Sequence, residues 1–237
     1  MKNQLLILLA LLIFISCKKE PISEKKQVLT TRVVSKPIQI LKTDTIYFSY
    51  KSDSKDDYAI INLLEEKYSK DSLCTSKFRI DFIQKKSKIF SDLVTIKGVE
   101  KESNWFGMYE MDSIYSPFRS LSFGYPACGY TQDNFLYYIE NKESAKIHTW
   151  LSVFDGGWFN DVEFFPISKT KFACRTASFW SDDSEQENNE TDEEFGILEH
   201  SDSIVFDFQN GKWQKSFKTP KEKVYRKKRV AFETMIQ

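Results

Sequence analysis

The sequence predicts a mainly β protein built of antiparallel sheets, with one amphipathic helix near residues 56–69. Three observations carry that prediction. Of 237 residues 15% are aromatic, with 20 Phe and 11 Tyr, and such side chains suit the pleated, half-buried surface of a strand. Apolar and polar residues alternate with a period of two, most plainly where Phe78, Ile80 and Phe82 are separated by Arg79 and Asp81. Tight-turn chemistry separates several such windows, at Asp155-Gly156-Gly157 and Asn210-Gly211. Barrel, sandwich and α+β arrangements all satisfy these observations.

The elements follow in chain order. Val28–Tyr50 reads as extended, with Pro37 dividing it into two strands or breaking an edge strand. Asp56–Ser69 reads as the helix: Asp56 or Asp57 can cap it, and Tyr58, Ile61, Leu64 and Tyr68 follow helical spacing with Ile60 and Leu63 beside them. That stripe predicts core packing. From Lys77 the period changes to two. Further strands are expected at Leu93–Val99, Trp105–Met111, Phe135–Ile139, Lys146–Phe154, Val162–Phe165 and Lys171–Phe179. Glu140–Ser144 joins two antiparallel strands. Ile204–Phe208, Asn210-Gly211 and Lys212–Gln214 form the clearest hairpin. Ser181–Glu194 is too polar to pack and reads as a solvated loop. Lys218–Arg229 is strongly basic, and its exposed pairing with the acidic loop is worth at most about 1 kcal/mol.

Composition narrows the function classes. Lys+Arg and Asp+Glu balance at 34 each, so no overall field points to nucleic acid. Hydrophobic residues make up 41%, enough for a core. The cysteines are Cys17, Cys74, Cys128 and Cys174. Cys128 with Cys174 is the preferred disulfide, and buried free thiols are the alternative. No Cys-x-x-Cys pair occurs, and His148 and His200 stand apart, so no metal site and no cofactor is expected.

The first residues give an address. Lys2 precedes an uncharged apolar run, Leu5–Ile15, which ends at Ser16 and Cys17. A basic start, an apolar segment and a small residue at a cleavage point form the secretory pattern. The run is shorter than the roughly 20 residues of a spanning helix. Phe14-Ile15-Ser16-Cys17 resembles the lipobox of bacterial lipoproteins, with Phe14 where that family most often has Leu. The resemblance implies that the Cys17 thiol carries diacylglycerol, that the chain is cut before it, and that its amino group is acylated. Residues 1–16 are then a signal peptide, 17–27 a tether rich in Lys, Glu, Pro and Ser, and 28–237 a single β-rich domain. An outer-membrane lipoprotein is the expected address, since two or more acyl chains anchor a protein stably.

Candidate sites are few. Asp-Ser/Thr-apolar triplets at Thr45, Ser72, Ser113 and Ser203 resemble the O-glycosylation acceptors of some gram-negative bacteria. The same triplets also suit turn chemistry just before a strand. Asp182, Asp183, Glu185 and Glu187 could offer oxygens to calcium, but an EF-hand's spacing is missing. Trp150 and Trp158, with Asp155 and Asp161, could stack on and hydrogen-bond to a sugar; packing into a core is the competing role for such tryptophans. Trp158 follows a tight turn, which could present it at a rim. No nucleophile elbow, zinc-protease helix or phosphate-binding glycine loop occurs in the sequence. These signals point to a non-enzymatic envelope lipoprotein that binds a glycan or a protein and is held to the membrane by its lipid. A hydrolase of envelope or imported polymers, and a periplasmic scaffold or immunity-type protein, are the alternatives.

Overall fold

Alternating side chains drive nearly every described segment into a strand. The computed structural model describes residues 39–48, 56–70, 73–99, 103–108, 117–126, 129–140, 143–182 and 195–232. Among them are thirteen strands and no α-helix: β1 (Lys42–Tyr47), β2 (Asp57–Tyr68), β3 (Cys74–Gln84), β4 (Ser87–Val99), β5 (Asn104–Met108), β6 (Phe118–Pro126), β7 (Tyr130–Tyr138), β8 (Ala145–Asp155), β9 (Trp158–Ser168), β10 (Lys171–Ser181), β11 (Phe195–Gln209), β12 (Lys212–Phe217) and β13 (Arg226–Ala231). One sheet runs β1-β2-β3-β4 and the other β12-β11-β10-β9-β8-β7-β6-β5, with β13 also on β11. All pairings are antiparallel, and within each sheet chain neighbours lie side by side. An antiparallel pair of chain neighbours can be joined by a tight turn. Asn210 and Gly211 join β11 to β12 at φ 52° and 74°, as a two-residue hairpin requires.

The helix expected over 56–69 is not formed; this segment is β2. Ala59, Ile61 and Leu63 point into the core, while Tyr68, a member of the expected helical stripe, is 69% exposed. The two periodicities coincide at Ile61, and pairing with β1 and β3 along both edges of β2 decides between them. Tertiary pairing overrides a local helical pattern in this way. Strand β6 has no counterpart among the sequence-derived elements. Its Ser120, Ser122 and Gly124 dilute the hydrophobic signal, yet eight of its nine residues are buried, because both faces are covered.

Those two faces belong to two cores. The first lies between the sheets: Ala59, Ile61, Leu63, Phe78, Ile80, Phe82, Val94 and Ile96 meet Trp105, Leu121, Phe123, Tyr125, Phe135, Tyr137 and Ile139. Each fully buried large side chain contributes about 1.5–3 kcal/mol. The second lies inside the larger sheet, which folds back on itself. Strands β8 and β9 pair only beside their turn, from Val153–Asp155 to Trp158–Asn160, and then part. Phe118, Leu136 and Tyr138 thereby face Phe172, Cys174, Ile204 and Phe206. Arg119 of β6 joins the two sheets by an ion pair with Asp57 of β2.

Strand β11 carries two partners along one edge. Phe195–His200 pairs with β13 and Ile204–Gln209 with β12. The change occurs at Asp202, whose φ is 48°. Its carboxylate accepts the Glu222 amide at 2.7 Å, the Ser203 amide donates to the Thr219 hydroxyl at 3.0 Å, and the Tyr225 amide donates to the His200 carbonyl at 3.0 Å. These bonds fix the connection that brings β13 back to the sheet.

Candidate functional site: a basic hollow on β9, β10, β11 and β13

A hollow of about 360 Å³ lies over four strands, lined by Glu163, Arg175, Leu198, His200, Arg226, Lys228 and Val230. Its floor is β11 and its far wall β13. His200 stands opposite Arg226, Leu198 opposite Lys228, and Gly196 opposite Val230. Strand alternation places Arg226, Lys228 and Val230 on the hollow's side and Lys227 and Arg229 on the other. The two sets differ in how their charge is met. Lys227 pairs with Glu199 at 2.9 Å, and Arg229 lies 3.9 Å from Asp182 and 4.6 Å above the Phe195 ring. Among the described residues, neither Arg226 nor Lys228 has an acidic partner within 4.0 Å.

The third cation, Arg175, is held from two sides. Its guanidinium donates to Glu163 and lies 4.9 Å above the Phe165 ring. One carboxylate therefore faces three permanent cations. Beneath them His200 is 4% exposed, and neither ring nitrogen has a hydrogen-bond partner among the described residues. Its Nε2 lies 3.6 Å from the Glu163 carboxylate, beyond hydrogen-bonding reach. Burial, reinforced by Arg175, holds the imidazole below its ordinary value, so at neutral pH it is an uncharged ring with one N–H to donate. A buried polar group without a partner is costly, and the ring that carries this one lines the basic hollow.

A smaller hollow of about 200 Å³ opens at one end of the first core, lined among others by Lys42, Asp44, Glu66, Ser76 and Trp105. Lys42 and Asp44 lie 3.3 Å apart and neutralise one another, which leaves Glu66 as the remaining charge on this lining.

The expected sugar-binding set is brought together only in part. Trp150 donates to Asp161 at 3.1 Å. The same carboxylate oxygen accepts Ser152 and the Val162 amide at 2.7 Å. Ser152 in turn accepts Asn134 at 2.7 Å, and Ser122 donates to Asn134 at 2.5 Å. This network ties β7, β8 and β9 together and commits the Oδ1 oxygen of Asp161 to bonds within the sheet. Trp158 is half-buried, its ring 5.2 Å from Trp180 and its Nε1 buried without a partner among the described residues. Asp155 is exposed at the end of β8, directly across the turn from Trp158 and outside the Asp161 network. Trp180, 53% exposed, is the better surface aromatic.

Other expected positions are scattered. Thr45 is exposed on β1. Ser203 lies within β11 beside the Asp202 kink. Cys174 is a free, buried thiol pushed up to about 11 by burial, and Cys74 is likewise free and buried. Cys17, Ser72, Ser113, Cys128, Asp183, Glu185 and Glu187 lie outside the described residues. The basic segment was visible in the sequence, but Arg175 and Glu163 carried no signal, because only the register brings them beside β13.

Comparison with protein-family models, curated proteins and solved structures finds no match. The functional reading therefore rests on the chain's own geometry.

Proposed function

We propose that this protein is a lipid-moored envelope protein with a binding role, and that its ligand is an acidic glycan seated in the β9–β10–β11–β13 hollow. The observation that carries this reading is the contrast along β13: the cations on one face are matched by acids, while Arg226 and Lys228, facing the hollow, are not. Unmatched cations set side by side repel one another, and a bound anion turns that repulsion into attraction. The hollow's volume falls within the range of about 300–1,000 Å³ typical of small-molecule sites, which favours a sugar-sized group over a broad protein surface. Leu198 and Val230 supply the apolar walls that a sugar ring packs against. Mooring through Cys17 would hold this hollow near the membrane surface, where envelope polymers are concentrated.

Retention on a glycan array tests the reading. The full chain in neutral detergent should hold acidic polysaccharides and release them as salt rises from about 0.05 to 0.5 M, because screening shortens the reach of exposed charge. Joint replacement Arg226→Gln and Lys228→Gln should abolish retention, and Trp158→Ala should leave it unchanged. Retention of neutral glycans equal to that of acidic ones, or survival of acidic retention in the double variant, would overturn the assignment.

A further inference from the structure

Resting on that reading, we infer that the acidic group recognised in the hollow is a tetrahedral oxyanion, a phosphate or sulfate ester carried on a sugar or glycerol body, and that Arg226, Lys228 and His200 hold its oxygens. The argument is one of donor geometry. A carboxylate presents two oxygens in one plane and is matched by a single guanidinium fork. Here the donors come from different strands and are of different kinds.

Arg226 and Lys228 are two residues apart on one face of β13, which sets their Cα atoms about 6.8 Å apart. Arg226 brings a planar fork and Lys228 a mobile point charge. His200, across the ladder from Arg226, adds a buried N–H from below. Arg175 closes the β10 side, already committed to Glu163; it contributes field rather than a free fork. Two donors from the β13 wall and one from the β11 floor approach along directions that do not share a plane, as oxygens directed to the corners of a tetrahedron require. Glu163 adds a selection of its own, since it repels a ligand whose negative charge spreads beyond the oxyanion toward β9.

The hollow is also larger than a bare oxyanion requires. The space beside Leu198 and Val230 is apolar and fits the carbon frame to which the ester is attached. A free sugar hydroxyl would leave the two cations unmatched, and a carboxylate would meet only part of the donor set.

Isothermal titration calorimetry of the full chain in neutral detergent tests the inference with four soluble probes. Glucose 6-phosphate should bind. Glucuronate, the carboxylate of similar frame, should bind about tenfold or more weakly, and glucose should give no signal. Glycerophosphoglycerol, a phosphodiester lipid headgroup, separates the sources: tighter binding than glucose 6-phosphate assigns a lipid headgroup, and weaker binding assigns a sugar phosphate. Arg226→Gln and Lys228→Gln should each weaken glucose 6-phosphate about tenfold, as loss of one charge-assisted bond does. Lys227→Gln, on the opposite face of β13, should leave it unchanged. Equal affinity for glucuronate and glucose 6-phosphate would overturn the oxyanion assignment while leaving the acidic-glycan reading in place. Acidic polysaccharide binding that is insensitive to Arg226 and Lys228 would remove both.

Discussion

Replacing Asp57 by Ala should destabilise the protein by about 3 kcal/mol, near the lower end of the usual cost of breaking a buried ion pair. The Arg119 side chain is 7% exposed and that of Asp57 19%. Nε of Arg119 donates to Asp57 at 3.1 Å, and a second guanidinium nitrogen donates to the same oxygen. A third donates to the Phe118 carbonyl at 2.7 Å, with the Phe48 ring 5.6 Å away. Without the carboxylate, a buried guanidinium loses the counter-charge of Asp57 and two acceptor contacts. The partial exposure of Asp57 lets water recover some of that loss, which is why the lower figure is chosen. For a domain of this size the midpoint should fall by roughly 6–12 °C. Urea unfolding followed by tryptophan fluorescence is the suitable assay, because Trp105 sits in the core that the pair borders and urea leaves ion pairs unscreened. The double variant Asp57→Ala with Arg119→Met should recover more than half of the loss, since no charge remains buried. A loss below about 1 kcal/mol in the single variant would refute the reasoning, as would a double variant no more stable than the single one.

Other outcomes follow from the same geometry. Burial, with Lys215 nearby, holds His148 at about 4 against an ordinary 6.5. Between those values the unfolded chain binds a proton that the folded chain refuses, so stability should fall as pH drops from 6.5 towards 4. The full linkage is about 3 kcal/mol, reduced to about 2 because the ring is partly open to solvent; urea midpoints at pH 7.5, 6 and 5 should converge in His148→Phe relative to the parent. His200 has the same sign, since burial, Arg175 and Arg226 hold it down and only Glu163 opposes them. Gly196→Ala would set a Cβ 2.1 Å from the Phe179 ring and 2.4 Å from the Trp180 carbonyl oxygen, so a loss of about 2–3 kcal/mol is expected on thermal unfolding. Gly211→Ala meets no atom within 4 Å and should cost about 1 kcal/mol, through its positive φ alone. Thiol alkylation of the native protein, mapped by mass spectrometry, should leave Cys74 and Cys174 unmodified until denaturant is added, since both are 2% exposed.

Much of the architecture could be read from periodicity because an antiparallel meander is a local code. Phe78, Ile80 and Phe82 alternate into one face, and Asn210-Gly211 marks its hairpin without reference to the rest of the chain. Strand β2 was misread for a physical reason. Both of its faces are partly covered: Tyr58, Ile60 and Leu64 are half-buried on the side opposite Ala59, Ile61 and Leu63, so apolar residues do not alternate with polar ones as in a half-exposed strand. Strand β6 was missed because a strand covered on both faces can spend small residues such as Ser120 and Ser122, which look like loop. The tryptophan and aspartate set suggested a rim. In the structure Asp161 is instead the acceptor that closes the gap between β8 and β9, a role that only the splayed pairing reveals.

The basic hollow shows why composition finds charge but not a site. Arg-Lys-Lys-Arg at 226–229 reads as a uniform solvated patch until it becomes a strand. Alternation then divides it, and the register with β11 decides what each half meets: Glu199 lies across from Lys227, and His200 across from Arg226. That register depends on Asp202, since the kink there ends the pairing with β12 and its carboxylate holds the incoming turn at Glu222. A single residue with φ 48° thus lets one strand serve two partners, and the second partner carries unmatched cations over a buried imidazole. The charge was present in the sequence, but its asymmetry exists only once β11 is bent.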